Sequence, residues 1–195
     1  MSADDRERQE ESELVVLQTI RLKGRVRRDD LGADVDELVA SGLVVDGPML
    51  RLSAAGRTRL TELLHAERSS ADAAAVTDAY GEFRSVNADF KALVTDWQLK
   101  DGEPNTHEDA AYDAAVLARL DEVHQRVTPI LGAVVAQLPR LGGYSEKLRA
   151  ALDRVHAGET MWLSRPLIDS YHTVWFELHE ELILAAGLTR GAEDG

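Results

Sequence analysis

Apolar residues recur every three or four positions along residues 72–98, which is the spacing of one face of an α-helix. The positions are Val76, Tyr80, Phe83, Val86, Phe90, Leu93, Val94 and Trp97. One side of this predicted helix is therefore apolar over about seven turns. Because a stripe of this length exceeds what one short neighbouring helix covers, we expect it to be buried partly between the subunits of a homodimer.

Four more helices are predicted after this one from the same periodicity. They cover approximately residues 108–127, 129–138, 144–155 and 166–186, and breaks that contain Gly or Pro separate them. No alternation typical of a strand appears after residue 53. The sequence therefore predicts an all-helical bundle over residues 71–190.

The N-terminal part mixes helices with short strands. Residues 1–11 are mostly polar, lack apolar periodicity and are predicted to form a disordered tail. The elements expected after the tail are a helix over 12–24, a short strand at Val26, a turn at 29–32, a helix over 34–41, strands at 43–45 and 50–52, and a helix over 53–68. Ser and Asp residues near position 70 mark a boundary, so residues 12–70 form a separate domain.

Two phrases within residues 38–60, LVASGLVV and LRLSAAGRTRL, follow this order of elements. They resemble the winged helix of MarR-like transcription regulators. The resemblance implies a mainly α fold, with a winged-helix-like domain that has a small two- or three-stranded wing, followed by the helical bundle. It also implies DNA binding through the helix-turn-helix and the wing.

Basic residues around the predicted wing are the candidates for contacts with DNA phosphates. They are Arg25, Arg27, Arg28, Arg51, Arg57 and Arg59. Acidic residues oppose this interpretation, since Asp34, Asp36 and Glu37 face outward on the helix that would enter the major groove. The turn of the wing, Asp46-Gly47-Pro48, is short and acidic as well. In the alternative interpretation, the arginines pair with neighbouring carboxylates on an ordinary surface.

Aromatic and histidine residues are concentrated between residues 162 and 179. In one interpretation they fill the bundle core. In a second they line a ligand pocket formed by Trp162, Arg165, Tyr171, His172, Trp175 and His179, where Arg165 would bind an anion. In a third they contribute to a metal site, because an acid precedes His by three residues in four places. These pairs are Glu62/His65, Asp121/His124, Asp153/His156 and Asp169/His172.

The composition and the motifs of the chain exclude several kinds of chemistry. The chain has no Cys, which excludes disulfides, thiolate catalysis and Cys-ligated metals. It contains no Gly-rich phosphate loop and no nucleophile elbow, so we predict no enzymatic activity, no cofactor and no metal. The net charge of −13 resides mostly in the C-terminal two-thirds, which would repel a polyanion. No apolar run approaches the roughly 18 residues that span a bilayer, so we expect a cytoplasmic protein without a membrane partner.

The C-terminal phrases FKALVTDWQLKDG and DSYHTVWFELHEEL resemble those of small bacterial proteins associated with pyruvate phosphate dikinase-like enzymes. The catalytic residues of that enzyme are not present here, so none are carried over. Two functions are therefore expected. The first is a winged-helix transcription regulator whose helical domain dimerises or senses a ligand. The alternative is a regulatory module that binds a partner protein, such as the dikinase-like enzyme, and no DNA.

Overall fold

A computed structural model describes residues 2–31 and 35–188. Contacts within the chain divide it into two units, Met1–Ala71 and Asp72–Gly195. This division lies one residue from the boundary expected between residues 70 and 71. The described residues are mainly helical, as predicted, with two small antiparallel sheets. Residues 189–190 of the expected second domain lie outside the described residues.

The first unit consists of three helices, a 3₁₀ turn and a small sheet. The elements are α1 (Ala3–Lys23), a 3₁₀ turn (Arg28–Asp30), α2 (Val35–Ala40), β1 (Val44–Val45), β2 (Arg51–Leu52) and α3 (Ala54–Ser70). β1 and β2 are antiparallel, and Val26 forms an isolated bridge with Leu50 beside them. The sheet covers a core in which Leu17, Ile20 and Leu60 are almost fully buried. Asp34, which was expected to begin the second helix, lies outside the described residues.

Helix α1 begins at Ala3, so the prediction of a disordered tail over residues 1–11 is wrong for the described part of that segment. The Ser2 hydroxyl accepts a hydrogen bond from the Asp5 backbone, and the Asp5 carboxylate accepts one from the Ser2 backbone. This capping box satisfies two backbone donors that would otherwise lack partners. Gln9 also donates to Glu37 across 3.1 Å, which ties the polar start of α1 to α2. Apolar periodicity cannot reveal a helical segment that is stabilised in this way.

The phrases LVASGLVV and LRLSAAGRTRL meet where β1 approaches the start of α3. The Ser53 hydroxyl caps α3 by accepting from the Gly56 backbone, and it donates to the carbonyl of Gly42 across 2.7 Å. A Cβ atom at Gly56 would lie only 2.0 Å from the Leu43 carbonyl oxygen. The fold therefore needs Gly at position 56, because the backbone of α3 touches the backbone of Leu43, the residue before β1.

The second unit is a helical bundle with one small hairpin. Its elements are α4 (Ala73–Gln98), β3 (Leu99–Lys100), β4 (Glu103–Pro104), α5 (Ala110–Gln137), a 3₁₀ turn (Pro139–Gly142), α6 (Gly143–His156), α7 (Met161–Ser164) and α8 (Tyr171–Ala185). The prediction that no strand follows residue 53 is wrong. Asp101 and Gly102 have φ values of 54° and 85° and close a two-residue turn between β3 and β4.

Two helix boundaries also differ from the prediction. Helix α5 continues through Pro129, where two separate helices were expected. Proline removes one backbone donor, but Val127, Ile130 and Val134 around it are buried, and this packing keeps the helix continuous. Helix α8 begins at Tyr171 and not near residue 166, because the Ser170 side chain caps it by accepting from the Thr173 backbone.

The apolar stripe of α4 is buried within one chain. All eight of the predicted positions are buried, and α4 packs against α5 and α8. The part of the prediction that placed the stripe between subunits therefore loses its basis. Among the described helices, none has the length and apolar content that a membrane crossing requires.

Candidate functional site

Arg28 joins the second helix of the first unit to the turn of the hairpin. Its guanidinium pairs with the Asp36 carboxylate on α2 and donates to Asp46 in the β1–β2 turn across 2.7 Å. The hydrogen bond from Asp46 raises the pKa of Arg28, and the same bond lowers the pKa of Asp46. We call Arg28, Asp36 and Asp46 the Arg28 clamp. It occupies the surface at which the sequence suggested contact with DNA.

Most of the other predicted DNA-binding arginines also have partners within the unit. Arg27 donates to both carboxylate oxygens of Asp30, across 3.1 and 3.0 Å. Arg59 forms a similar fork with Glu13, across 3.1 and 3.0 Å, and this interaction raises the pKa of Arg59. The alternative interpretation from the sequence, in which arginines pair with nearby acids, therefore describes Arg27 and Arg28.

The remaining three arginines make weaker contacts. Arg57 donates to the Leu52 carbonyl across 3.1 Å. Arg25 and Arg51 are exposed, and neither makes an ion pair with a described residue. They lie next to Val26 and Leu50, which are paired in the small sheet. The cations that remain available on this surface are consequently few.

The surface of α2 is acidic. Asp36 and Glu37 are exposed on this helix of six residues, and Glu37 accepts from Gln9. A cleft of about 390 Å³ lies between α1 and α2, with Glu13 and Glu37 among its lining residues. Carboxylates in these places disfavour the approach of a phosphate backbone.

Four of the six residues predicted for a ligand pocket pack along α4. Tyr171 and Trp175 are buried, and Trp175 donates to the Asn87 side chain across 2.9 Å. The Trp175 ring lies 5.1 Å from the Phe83 ring and 4.5 Å from the Phe90 ring, measured between centroids. These distances are typical of aromatic packing in a core.

The two histidines of that group are half-buried between α4 and α8. The His172 ring lies 6.0 Å from the Phe90 ring, and the His179 ring lies 5.4 Å from the Phe83 ring. Burial lowers the pKa of His172. Both imidazoles therefore lie against Phe83 and Phe90 of α4, the same two rings that Trp175 contacts.

The other two predicted pocket residues belong to α7 and the turn after it. The Trp162 ring stacks beneath the Arg154 guanidinium, 4.8 Å from the ring centroid. Arg165 is exposed at the end of α7. Trp162 and Arg165 therefore lie in a different environment from the residues that pack against Phe83 and Phe90 of α4.

Two of the four histidines in the acid–histidine pairs that suggested a metal site contact other side chains. His156 contacts Asp121 of α5 across 2.8 Å, although its predicted partner was Asp153. His124 Nδ1 lies 3.1 Å from the Tyr171 hydroxyl, and burial lowers the pKa of this histidine. Within the described ranges, no three His, Asp or Glu side chains are arranged to hold a metal ion.

Two further side-chain groups were missed by the sequence analysis. Arg140, in the 3₁₀ turn before α6, forms a buried ion pair with Glu181 of α8. In the connection between β4 and α5, His107 Nδ1 lies 3.0 Å from Asp113, and the imidazole stacks on Trp97 with centroids 4.4 Å apart. His107 has a φ of 59°, which is uncommon outside glycine. The partners of Arg140 and His107 are set by the fold and carry no signal in the local sequence.

Searches against protein-family models, curated proteins and solved structures found no match for this chain.

Proposed function

We propose that this chain is a regulatory module that acts by binding another protein, and that its first unit is a winged-helix-like scaffold that does not read DNA. The observation that carries the proposal is the Arg28 clamp. In this clamp two carboxylates neutralise the Arg28 guanidinium, at a position where a DNA-binding protein needs a free cation. The clamp also links the acidic helix α2 to the hairpin turn.

The chemistry of α2 supports this proposal. In a helix-turn-helix, exposed side chains of the second helix read base edges, and Arg, Asn and Gln supply most specific contacts. Here α2 exposes Asp36 and Glu37. A carboxylate can accept from cytosine, but two of them beside the phosphates need compensating cations. The nearest candidate, Arg28, already has two carboxylate partners.

The number of available cations supports the same proposal. Arg25, Arg51 and Arg57 are the exposed members of the predicted set without a carboxylate partner among the described residues, and Arg57 donates to a backbone carbonyl. Three phosphate contacts would give a salt dependence with a slope of only about three, compared with the six to ten contacts of many DNA-binding proteins. Such a surface supports weak, non-specific attraction and not operator recognition.

A transcription regulator is the second candidate. Arg25 and Arg51 favour it, since they lie on adjacent segments of the small sheet at one edge of the unit. In a homodimer, two copies of this basic edge would be available, one for each half-site of an operator.

The deciding experiment measures DNA binding and protein binding with the same purified chain. Fluorescence anisotropy with genomic fragments at about 50 mM salt should show no saturable binding. Sedimentation of the chain mixed with a purified pyruvate phosphate dikinase-like enzyme should show a complex, since the C-terminal resemblance makes that enzyme the first partner to test. Saturable DNA binding that an Arg25→Ala/Arg51→Ala variant abolishes would replace this proposal with the transcription regulator.

A further inference from the structure

In the turn between α7 and α8, one leucine combines a left-handed backbone with full exposure to solvent. Leu167 has a φ of 68°, and its side chain is 100% exposed. It follows Pro166 in a turn over residues 166–169. Leu167 is the most exposed large apolar residue among those that the structure describes.

Both properties of Leu167 oppose the stability of the free chain. A left-handed backbone brings the Cβ atom of an L-residue close to the following carbonyl, and Gly or Asn relieves this strain. A fully exposed leucine also gains nothing from burial, because no part of its side chain leaves water. Strain of this kind persists only where the surrounding structure holds it, and it is concentrated at functional sites.

The surrounding residues hold the turn in place. Pro166 fixes the backbone before Leu167, and Ser170 is fully buried as the cap of α8. Asp169 pairs with Lys147 of α6 across 3.5 Å. Leu167 is therefore presented as a projecting apolar side chain on a supported turn, which reduces the entropy lost when it is bound.

Arg165 lies two residues before Leu167 and places a positive charge close to it in the sequence. It is exposed and makes no ion pair with a described residue, in a unit where most other cations have carboxylate partners. A partner that receives Leu167 can therefore place a carboxylate opposite Arg165 without displacing an existing ion pair.

We propose that Leu167 is the residue through which the helical unit binds a folded partner protein, by insertion into an apolar pocket with an acidic rim. The inference rests on the proposed function, since it names the contact residue of the regulatory module. Insertion would bury the leucine and would offset the strain that the free chain tolerates.

The test begins with site-specific photo-crosslinking in lysate of the source cells. A photo-reactive amino acid replaces Leu167 in one sample, and Leu99 or Met49 in two control samples. Leu99 and Met49 are each 41% exposed, and Leu99 has an extended backbone with a φ of −126°. We expect one dominant partner at position 167 and none at the controls.

The second step uses that partner after purification. Leu167→Asn keeps the size of the side chain, tolerates the left-handed backbone and removes the apolar surface. We expect this variant to raise the dissociation constant at least about tenfold, while its melting temperature stays equal to that of the wild type or rises. The matched variant Leu99→Asn should change the dissociation constant less than about twofold. Charge reversal by Arg165→Glu should weaken binding in a salt-dependent manner.

The outcomes separate this inference from the proposed function. Cross-links at position 99 or 49 but not at 167 would overturn the role of Leu167 and leave the protein-binding module standing. Unchanged affinity with Leu167→Asn would do the same. A chain that cross-links at none of the three positions would overturn the role of Leu167, and the sedimentation experiment would then decide the proposed function by itself. Sedimentation with lipid vesicles that Leu167→Asn abolishes would replace the protein partner with a membrane surface.

Discussion

The guanidinium of Arg140 forms a two-pronged ion pair with the carboxylate of Glu181, with N···O distances of 2.9 and 2.8 Å. The side chains are only 6% and 2% exposed, so the pair is among the most deeply buried charges described. It joins the 3₁₀ turn before α6 to α8. The Tyr144 hydroxyl lies 3.4 Å from the same carboxylate, and burial raises the pKa of Tyr144.

Removal of Arg140 should strongly destabilise the chain. Arg140→Met leaves the Glu181 carboxylate buried without its main partner, which typically costs about 3–5 kcal/mol. Arg140→Lys should cost less, because an ammonium retains the charge but cannot form both hydrogen bonds. Urea unfolding followed by tryptophan fluorescence measures both variants. A loss below about 1 kcal/mol for Arg140→Met would show that water reaches Glu181.

Gly56→Ala should unfold or severely destabilise the first unit. The added Cβ would lie 2.0 Å from the Leu43 carbonyl oxygen, which belongs to the backbone and cannot rotate away. We expect a loss of more than about 3 kcal/mol, at the level of a severe core defect.

The matched control for this substitution is Gly47→Ala in the same unit. A Cβ at Gly47 would meet the Met49 carbonyl oxygen at 3.7 Å, an ordinary contact. This variant should stay within about 0.5 kcal/mol of wild type. Proteolysis or circular dichroism at increasing temperature can follow the two variants. Equal stability of both would show that Leu43 and α3 separate more easily than their contact indicates.

The sequence was sufficient to predict α4 and its buried face. The α4 stripe from Val76 to Trp97 is a strong periodic signal, and every predicted position in it is buried. The helix expected from residue 53 was likewise predictable, and in the structure the Ser53 side chain caps it. These features are local, since they depend on side chains that lie within a few positions of one another.

The differences arose where distant contacts or polar caps determine the structure. The polar start of α1 is capped by Ser2 and has no apolar face to detect. The Asp101-Gly102 turn was interpreted as a break because β3 and β4 have two residues each, too few for an alternating pattern. For the candidate site, the arginines were predictable from the sequence, but their partners were not. Arg59, for example, meets Glu13 across 46 positions.

Gln18→Leu should stabilise the protein. Gln18 lies on α1 with 2% exposure, and neither its amide nitrogen nor its amide oxygen has a hydrogen-bond partner. A buried amide without partners costs about 1–3 kcal/mol, and leucine has a similar length without the polar atoms. We expect a gain of about 1–2 kcal/mol in the free energy of unfolding.

The control for this gain is Gln9→Leu on the same helix. Gln9 is exposed and donates to Glu37, so its replacement should bring no gain and a loss of at most about 1 kcal/mol. Denaturant titration of both variants makes the comparison. A destabilised Gln18→Leu would mean that the amide makes hydrogen bonds in solution.

Acidification should weaken the second unit through two histidines. Burial lowers the pKa of His124 and of His172 below their ordinary value, and Arg149 lowers that of His124 further, whereas Asp121 and Asp153 oppose this effect. The unfolded chain therefore binds more protons than the folded chain once the pH falls to about 6.5 and below. The stabilisation from neutral imidazoles is complete above that pH and is lost as the pH falls towards the folded pKa values.

The measurement compares the free energy of unfolding at pH 7.5 and pH 5.5, a range that avoids most carboxylate titration. Because both imidazoles are partly exposed, we expect a loss of only about 0.5–1 kcal/mol in wild type. A His124→Gln/His172→Gln variant should show a smaller loss, since the amide at position 124 can still hydrogen-bond the Tyr171 hydroxyl and neither amide titrates. His65→Gln, at an exposed position of α3, should keep the wild-type loss. An equal pH dependence in all three proteins would place the effect on groups other than His124 and His172.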